Sequence, residues 1–484
     1  MPFLDLNEDV LGQILSKCDI YTVLCVGRVN RYLRLIVSSK QLWISLLGDL
    51  ELRGFLDFTP EEQFQSYSTA DLIDEIKCIS LGPKTWSPTW SAPQELRRHT
   101  IVSLEQEITG RVELLPGGKY IAIQERESLG FYEVPTGQCV HTVTYTDLGS
   151  ILNCSFHMRQ RSSLEVAVSL SGPHHNRVVQ ILRVDLLTGH SDNLLRFQLP
   201  TNLTFLSPPT ILGKFFAIAF GIESQAPGLV LLVNWCSAQY VLLNCPPFLR
   251  TGPILLPGHL GITYADLEPP HQQILTIHTF DSLASFWRPI SGMSFWDRVY
   301  SRQLSPVVRQ PLEFRSVAVR NAQFVEFRAL ENPVRPGIYE IIVHAKDYIP
   351  APQPRSINNF LRIRFGRAQM PQATPEPQIR RSVLFSYSLD LSGQSGVHPA
   401  WRLLSAVPAD LQVRGAAITF SHYCVDRSFP MVIDALPKRD GVAHRNGQRV
   451  MIPYQRTCKD IFIAPYSGAV VSLMGPLLSI SYYV

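Results

Sequence analysis

Three short stretches of the 484-residue chain carry residue types that can do chemistry. "PHHN" at 173–176 is the only adjacent histidine pair, and paired imidazoles can ligate a metal ion. "SGQSG" at 392–396 places a serine among small residues, as in a nucleophile turn. "LRIRFGR" at 361–367 alternates arginine with apolar residues, and guanidinium groups bind carboxylates and phosphates. Each stretch also has an ordinary structural explanation, so its surroundings decide between the two.

The surroundings favour the ordinary explanation for all three stretches. The histidine pair has no cysteine or carboxylate cluster nearby, which indicates a polar loop. The serine lacks the strand–turn–helix context of a nucleophile elbow, and the arginine stretch fits an exposed strand or loop edge kept soluble by charge. No P-loop, dinucleotide fingerprint, HExxH motif or kinase signature set is present. We therefore expect no catalytic residue, no metal and no cofactor.

A fourth stretch, "VGRVNRYLRLIVSSKQLW" at 26–43, is basic and amphipathic, with Arg28, Arg31 and Arg34 between apolar residues. Such a segment can bind nucleic acid, a membrane surface or another protein. Residues 1–80 carry 7 Lys and Arg against 12 Asp and Glu, and the whole chain has a net charge of only +4. An acidic setting disfavours a nucleic-acid partner, so we expect none.

Composition points to a folded protein of a reducing compartment. Hydrophobic residues make up 45% and charged residues 17% of the chain, which is typical of globular domains. Its 36 prolines and 29 glycines suit many short strands joined by turns. Nine scattered cysteines without a CxxC motif indicate reduced thiols. The acidic start lacks the features of a signal peptide, and no apolar run reaches 18 residues, so we expect no membrane contact and a cytoplasmic and/or nuclear location.

Apolar spacing predicts helices over most of the first 78 residues. The first predicted helix carries on one face Val10, Leu11, Ile14, Leu15 and Cys18. Asn7 and Asp19 are suitable N-caps for this helix and for a shorter second one. A third helix is expected at 29–38 and further helix at 60–78.

The pattern changes to β-type runs after the Pro/Trp-rich linker at 82–93. "GKYIAI" at 118–123 recurs as "GKFFAI" at 213–218, and alignment of the apolar runs places Ile121, Val166, Phe216 and Ile262 at equivalent positions. A recurrence of about 40–50 residues is typical of propeller blades. A second apolar run follows each of these, at 130–134, 179–189, 230–235 and 284–290.

The recurrence becomes irregular from 290 to 410. Residues 350–381 are rich in proline and arginine, and we interpret them as an exposed insertion. Strands are expected to resume at 416–420 and 461–473. We predict six or seven blades.

The apolar positions of the first 43 residues resemble the F-box, a helical motif that docks on the adaptor Skp1. The F-box pattern opens with Leu-Pro-x-Glu and two Ile-Leu pairs, continues with Leu-Asp-Pro, a Leu-rich helix and Val-Cys-x-x-Trp, and closes on Leu-Trp. The matching positions are Leu6, Val10–Leu11, Ile14–Leu15, Cys18–Asp19–Ile20, Val23–Leu24, Val26, Val29–Asn30, Leu33 and Leu42–Trp43. Asn7, Ile20, Arg28 and Asn30 depart from the pattern.

A second resemblance covers residues 112–140, which look like one WD40-type blade. Pro-Gly-Gly-Lys stands in the hairpin turn, and Phe131–Tyr132–Glu133 stands where Leu-Trp-Asp is common. The whole arrangement resembles fungal F-box proteins with a β-propeller. We therefore predict a small all-α F-box at 1–50, a helical extension and linker at 51–95, and a WD40-like all-β propeller at 96–484.

The resemblance implies a non-catalytic adaptor rather than an enzyme. Its F-box would bind Skp1 and, through it, cullin, and its propeller would hold a substrate protein, as in a Skp1–cullin–F-box (SCF) ubiquitin ligase. A three-helix piece of about 45 residues has little interior, so we expect its surplus apolar surface to meet the partner. The predicted Skp1-contacting residues are Leu6, Val10, Leu11, Ile14, Leu15, Ile20, Leu24, Val29, Leu33, Leu42 and Trp43. Two alternatives stay open: an F-box scaffold outside SCF complexes, and a propeller enzyme with a helical appendage.

Overall fold

A computed structural model describes most of the chain. The described residues are 6–57, 61–86, 95–104, 108–160, 162–172, 176–200, 203–205, 207–222, 228–245, 252–266, 268, 271–294, 298–300, 304–319, 322–348, 379–392, 399–408, 423–426, 432–435, 450–451 and 460–483.

Six helices form the first part of the chain, called the helical unit below. They are α1 Glu8–Leu15, α2 Ile20–Val26, α3 Arg31–Val37, α4 Lys40–Leu52, α5 Glu61–Ser66 and α6 Thr69–Leu81. The side chains of Asn7 and Asp19 accept hydrogen bonds from backbone N–H groups at the starts of α1 and α2, which confirms both predicted caps. Asn30 caps α3 in the same way, and the helix therefore begins two residues later than predicted.

The helical unit has a larger interior than the first 45 residues suggest. Helices α4 and α6 pack on each other and enclose apolar side chains that the earlier helices leave uncovered. The core residues contributed after residue 43 include Leu46, Leu47, Leu50, Phe55, Phe64, Leu72, Ile76 and Ile79. Later parts of the chain therefore cover a large part of the motif's apolar residues.

After the helical unit, the regular elements of the described residues are strands and short 3-10 turns. The part from residue 96 to 483 is called the β region. Its first half contains β1 Leu96–Ser103, β2 Arg111–Leu114, β3 Tyr120–Gln124, β4 Ser128–Glu133, β5 Cys139–Thr144, β6 Ser150–Met158, β7 Ser163–Ser171, β8 Arg177–Asp185, β9 His190–Leu199, β10 Leu203–Phe205, β11 Thr210–Leu212, β12 Phe215–Ile222, β13 Leu229–Asn234, β14 Gln239–Asn244, β15 Ile254–Leu256, β16 His259–Ala265 and β17 Gln273–Thr279.

The second half continues with strands of 2 to 12 residues. They are β18 Arg288–Pro289, β19 Val299–Tyr300, β20 Val308–Pro311, β21 Glu313–Phe314, β22 Val317–Ala318, β23 Ala322–Glu331, β24 Ile338–Tyr348, β25 Ile379–Asp390, β26 Ala400–Pro408, β27 Tyr423–Asp426, β28 Val432–Ala435, β29 Val450–Met451, β30 Asp460–Ile463, β31 Val470–Met474 and β32 Leu477–Tyr483.

The strands form sheets largely in chain order, and every described pair is antiparallel except β14 with β19, which is parallel. Four-stranded sheets are formed by β2–β5, by β6–β9, by β15, β16, β17 and β20, and by β23–β26; β10–β14 with β18 and β19 form a larger sheet, β27–β29 a three-stranded one and β21–β22 a hairpin. The first strand, β1, completes the sheet of β30, β31 and β32. The two ends of the β region therefore meet in one sheet.

The sheets contact one another along their first strands. Contacts join β30 to β2, β6 to β11, β11 to β15, β15 to β23, and β27 to β30. Consecutive sheets packed by their first strands around a common cavity are the arrangement of propeller blades. The predicted class, an all-α segment followed by an all-β propeller-like region, is confirmed, while the number of blades stays a prediction.

The recurrence found in the sequence marks one structural position. Ile121, Val166, Phe216 and Ile262 lie on β3, β7, β12 and β16, the second strand in the pairing order of four consecutive sheets, and all four are fully buried. Both faces of these strands are covered by neighbouring sheets, which explains their unbroken apolar runs.

One predicted run is wrong, and several fall outside the described residues. Residues 284–290 form 3-10 turns and the two-residue strand β18, because Pro289 has no N–H for a sheet ladder; the strand paired with β16 is β17 instead. The expected strand at 416–420 lies outside the described residues, as does the proposed insertion from 350 to 378. Residues 461–473 are two strands, β30 and β31, rather than one run.

Candidate partner-docking site

Four of the predicted Skp1-contacting residues are apolar and exposed. The exposed fractions are 42% for Val10, 39% for Ile14, 44% for Leu24 and 70% for Val29. Val10 and Ile14 lie one turn apart in α1, Leu24 lies in α2, and Val29 lies in the turn that follows. We call these four residues the docking set.

The other predicted contact residues are buried inside the chain or packed against its core. Leu11, Leu15, Ile20, Leu33, Leu42 and Trp43 are at most 4% exposed, and Leu6 packs on the same core. The indole Nε1–H of Trp43 donates a hydrogen bond of 2.8 Å to the Val37 carbonyl oxygen. In this conformation these side chains hold the helices together, and a partner would touch the residues outside them. Whether any of the predicted residues contacts Skp1 stays a prediction.

Sequence reasoning missed two exposed side chains of the same helices. Tyr21 lies one turn before Leu24 in α2, and Leu35 lies in α3; both are exposed. The i, i+3 spacing of Tyr21 and Leu24 places them on one side of α2. This spacing is the sequence feature that could have identified Tyr21. Tyr21 is also a contact to the β region: the Arg335 guanidinium lies 3.3 Å from its ring centroid, and its backbone N–H donates to the Val334 carbonyl.

Arg53, after α4, ties the helical unit to the β region. One of its nitrogens lies 3.1 Å from the Glu331 carboxylate, and another donates to the Pro333 carbonyl oxygen. The guanidinium also covers the ring of Phe55, which meets Tyr466 edge-to-face with centroids 4.6 Å apart. Both charged side chains are less than one-third exposed, so solvent screens this pair only partly.

A second contact lies at Asp57 and the β2–β3 turn. Gly118 has φ of +63°, and a Cβ there would lie 2.5 Å from the Asp57 Cβ. Burial raises the pKa of the Asp57 carboxyl, while hydrogen bonds from Ser467 and Tyr482 and the charge of Arg98 oppose that rise. Glycine thus permits the close approach that places this carboxyl between the helical unit and the β region.

A third contact is aromatic and ionic. Trp86, fully buried, meets Tyr483 with ring centroids 5.5 Å apart. Arg97 of β1 pairs with Glu75 of α6 and donates to the Tyr67 hydroxyl at 2.8 Å. Together with the contacts of Arg53 and Asp57, these interactions fix the helical unit against the turns that join first and second strands in three sheets.

A cavity of about 840 Å³ lies where the first strands of the sheets meet, and part of its wall is formed by Arg53, Gly54, Phe55 and Asp57. On β2, a guanidinium nitrogen of Arg111 lies 3.6 Å from a carboxylate oxygen of Glu113. Burial raises the pKa of the Glu113 carboxyl, against the opposing charges of Arg111 and Arg328. The charged groups that lower the pKa of this carboxyl are arginines, as in an ion pair. A catalytic nucleophile would instead have a general base beside it.

The sequence stretches first considered for chemistry lie largely beyond the described chain. Residues 173–175, 361–367 and 393–396 are outside it. Within the described ranges, no group of three or more His, Cys, Asp or Glu side chains is arranged to hold a metal ion. In the same ranges, no helix has the length and hydropathy needed to cross a membrane.

The comparisons with known proteins identify the first segment. Residues 3–45 match the F-box domain family, and none of the curated proteins matches the chain. Similar solved structures include the WD40 domain of SCAP from fission yeast, at 9% identity and a TM-score of 0.34, covering 77% of this chain and 81% of that one. Sqt1 of Saccharomyces cerevisiae is similar at 10% identity and a TM-score of 0.35, covering 81% of this chain and 98% of that one.

The family match includes helices α1 to α3 and all the residues of the docking set. The β region is called propeller-like because of its strand order and the contacts between its sheets, and not because of these structural similarities. The chain carries an F-box domain at residues 3–45, followed by an all-β, propeller-like region.

Proposed function

We propose that this protein is the substrate-recognition subunit of an SCF-type ubiquitin ligase. The F-box docks on Skp1, which recruits cullin, and the β region holds a substrate protein. The chain makes and breaks no bonds itself. Its contribution is proximity, because a bound substrate lysine is held at a high effective concentration near the charged conjugating enzyme.

The docking set carries this proposal. Soluble domains bury apolar side chains when they can, and a group left exposed in a short segment marks a contact site. The helical unit has a filled core of its own, yet Val10, Ile14, Leu24 and Val29 are outside it. All four lie within the segment that matches the F-box family, whose members dock proteins through this segment.

Co-purification of the full chain with Skp1 tests the first step. Wild type should retain Skp1, and Val10→Asp with Ile14→Asp should not, because two carboxylates would be desolvated in the contact. Leu187→Asp is the control, since Leu187 is an apolar residue in the β region that is more exposed than Val10 or Ile14. Absence of Skp1 from wild type, or equal retention by the Asp variants, would contradict the proposal.

Cullin in the same purification separates the ligase from the scaffold alternative. A ligase subunit brings down Skp1 and cullin together, and the ubiquitylation of a substrate depends on its docking set. Recovery of Skp1 with no cullin would favour a scaffold outside SCF complexes.

We infer the substrate-binding end of the β region from the position of the helical unit. The helical unit packs on the turns that join first and second strands, at Gly118, Pro333 and Tyr466. In antiparallel sheets the turns joining second and third strands lie at the opposite end, and Arg126 is exposed in one of them. We place the substrate at that opposite end.

Site-specific photo-crosslinking tests the placement. A crosslinking residue at Arg126 should capture a protein whose ubiquitylation depends on this chain. The same residue at Leu187, in a turn at the end that carries the helical unit, should capture little of it. Equal capture at both positions, or capture at Leu187 alone, would overturn the placement.

A further inference from the structure

The arginines at 28, 31 and 34 line a groove in the helical unit. The groove has a volume of about 830 Å³ and is bounded by α2, α3, α4 and α6. Its apolar wall includes Leu24, Val37 and Ile73. All three arginines are exposed. We call this feature the arginine groove.

The three guanidinium groups have no acidic partner among the residues that the structure describes. Two acidic side chains of the helical unit are paired elsewhere: Asp49 with Arg53, and Asp74 with Lys77 and Lys84. Asp71 caps α6 through Ser68. Positive charge is thus concentrated on one groove of a segment that is acidic as a whole, and like charges three residues apart in a helix repel each other.

We propose that the arginine groove binds a carboxylate-rich segment of the protein that docks on the F-box. The inference rests on the proposed function, because Leu24 belongs both to the docking set and to the groove wall. A partner seated on the docking set therefore reaches the groove without a second binding event. Guanidinium groups pair well with carboxylates, and the apolar wall receives the side chains between them.

A protein segment fits this groove better than a nucleic acid does. The net charge of residues 1–80 is −5, so a long polyanion approaching the groove meets repulsion from the surrounding surface. The groove also offers apolar wall residues, and a phosphate backbone makes no use of Val37 or Ile73. A short acidic segment between apolar side chains matches both features.

The affinity of the purified full chain for Skp1, measured at low and high salt, tests the inference. Arg31→Glu with Arg34→Glu should weaken binding by about tenfold or more at low salt and flatten its salt dependence. Arg196→Glu with Arg402→Glu makes the same change in net charge at exposed sites on the outer strands β9 and β26 and should bind like wild type. Unfolding midpoints of both variants confirm that the fold is intact.

The possible failures are distinguishable. Wild type that binds no Skp1 at any salt concentration overturns the proposed function and this inference with it. Wild type that binds Skp1, with the groove variant equal in affinity and salt dependence, overturns the inference alone. Binding of a labelled single-stranded oligonucleotide as tight as that of Skp1, lost in the groove variant, would assign the groove to nucleic acid and overturn the inference as well.

Discussion

The helical unit and the β region expose apolar side chains in different ways. In the helical unit the docking set falls within 20 consecutive residues, on three neighbouring elements. In the β region the exposed apolar residues are Leu96, Ile101, Leu152, Leu187, Val317, Leu403 and Leu477, scattered over four sheets. Scattered single residues are normal on any soluble surface, whereas a concentrated group marks a contact.

The difference teaches where each region's specificity resides. In the helical unit, the candidate contact surface consists of exposed apolar residues, and their spacing can be read from the sequence. The inner strands of the β region, such as β3 and β7, are buried, and its exposed residues lie in turns and on outer strands such as β5 and β9. Recognition by the β region therefore depends on the placement of turns by the fold.

The largest effect should come from the buried half of the F-box motif. Trp43→Ala removes a fully enclosed indole and its hydrogen bond to Val37, and should lower the free energy of unfolding by about 3–5 kcal/mol. Val29→Ala, at an exposed position, should lower it by about 0.5 kcal/mol at most. Urea unfolding followed by circular dichroism measures both. Equal losses would erase the distinction between core and docking residues.

Acid should weaken the β region through a buried histidine. His278 on β17 is fully buried, and burial lowers the pKa of its imidazole to about 4. The unfolded chain, with an ordinary histidine pKa, binds the proton first, so the free energy of unfolding falls as the pH drops from about 6.5 to about 4. The loss attributable to this group is about 3 kcal/mol in total.

His278→Gln isolates that contribution, because glutamine stays neutral over the whole range. Denaturant unfolding of wild type and variant at several pH values should show a difference between them that narrows as the pH falls from 6.5 to 4. A difference that stays constant over this range would show that His278 does not titrate in this way.

A smaller effect is expected where the two regions meet. Arg53→Ala removes the ion pair with Glu331, the bond to Pro333 and the contact with Phe55. Because the pair is only partly exposed, we expect a loss of about 1–2 kcal/mol. Calorimetry should then resolve separate transitions for the helical unit and the β region. Arg34→Ala is the control, and an unchanged single transition in Arg53→Ala would contradict a coupling role.

The sequence predicted elements better than it predicted burial. Helix starts at Asn7 and Asp19 follow from local capping chemistry, and the equivalence of Ile121 with Val166 follows from recurrence, so both were accessible without a structure. Trp43 lies on α4, which packs on α6, a helix outside the motif. The spacing of apolar residues within the first 43 positions gives no information about residues from later in the chain that pack against them.

The contacts between the regions were equally inaccessible to sequence reasoning. Arg53 and Glu331 are 278 residues apart, and nothing in either segment marks the other. The sequence predicts that Gly118 lies in a hairpin turn. Glycine is required there because Asp57 of the helical unit approaches this position closely. The wrong prediction of a strand at 284–290 has a different cause. The apolar composition of this run suggested a strand, although Pro289 lacks the N–H that sheet pairing requires.

The central claim is that exposed apolar residues, and not the buried ones of the same motif, form the Skp1 contact. Calorimetric titration of Skp1 into wild type, Val10→Asp with Ile14→Asp, and Leu187→Asp tests it most directly, with unfolding midpoints measured alongside. We predict that the first variant keeps its stability and loses binding by at least about a hundredfold, while Leu187→Asp binds as wild type does. Unchanged affinity in the folded Val10 and Ile14 variant would contradict the account.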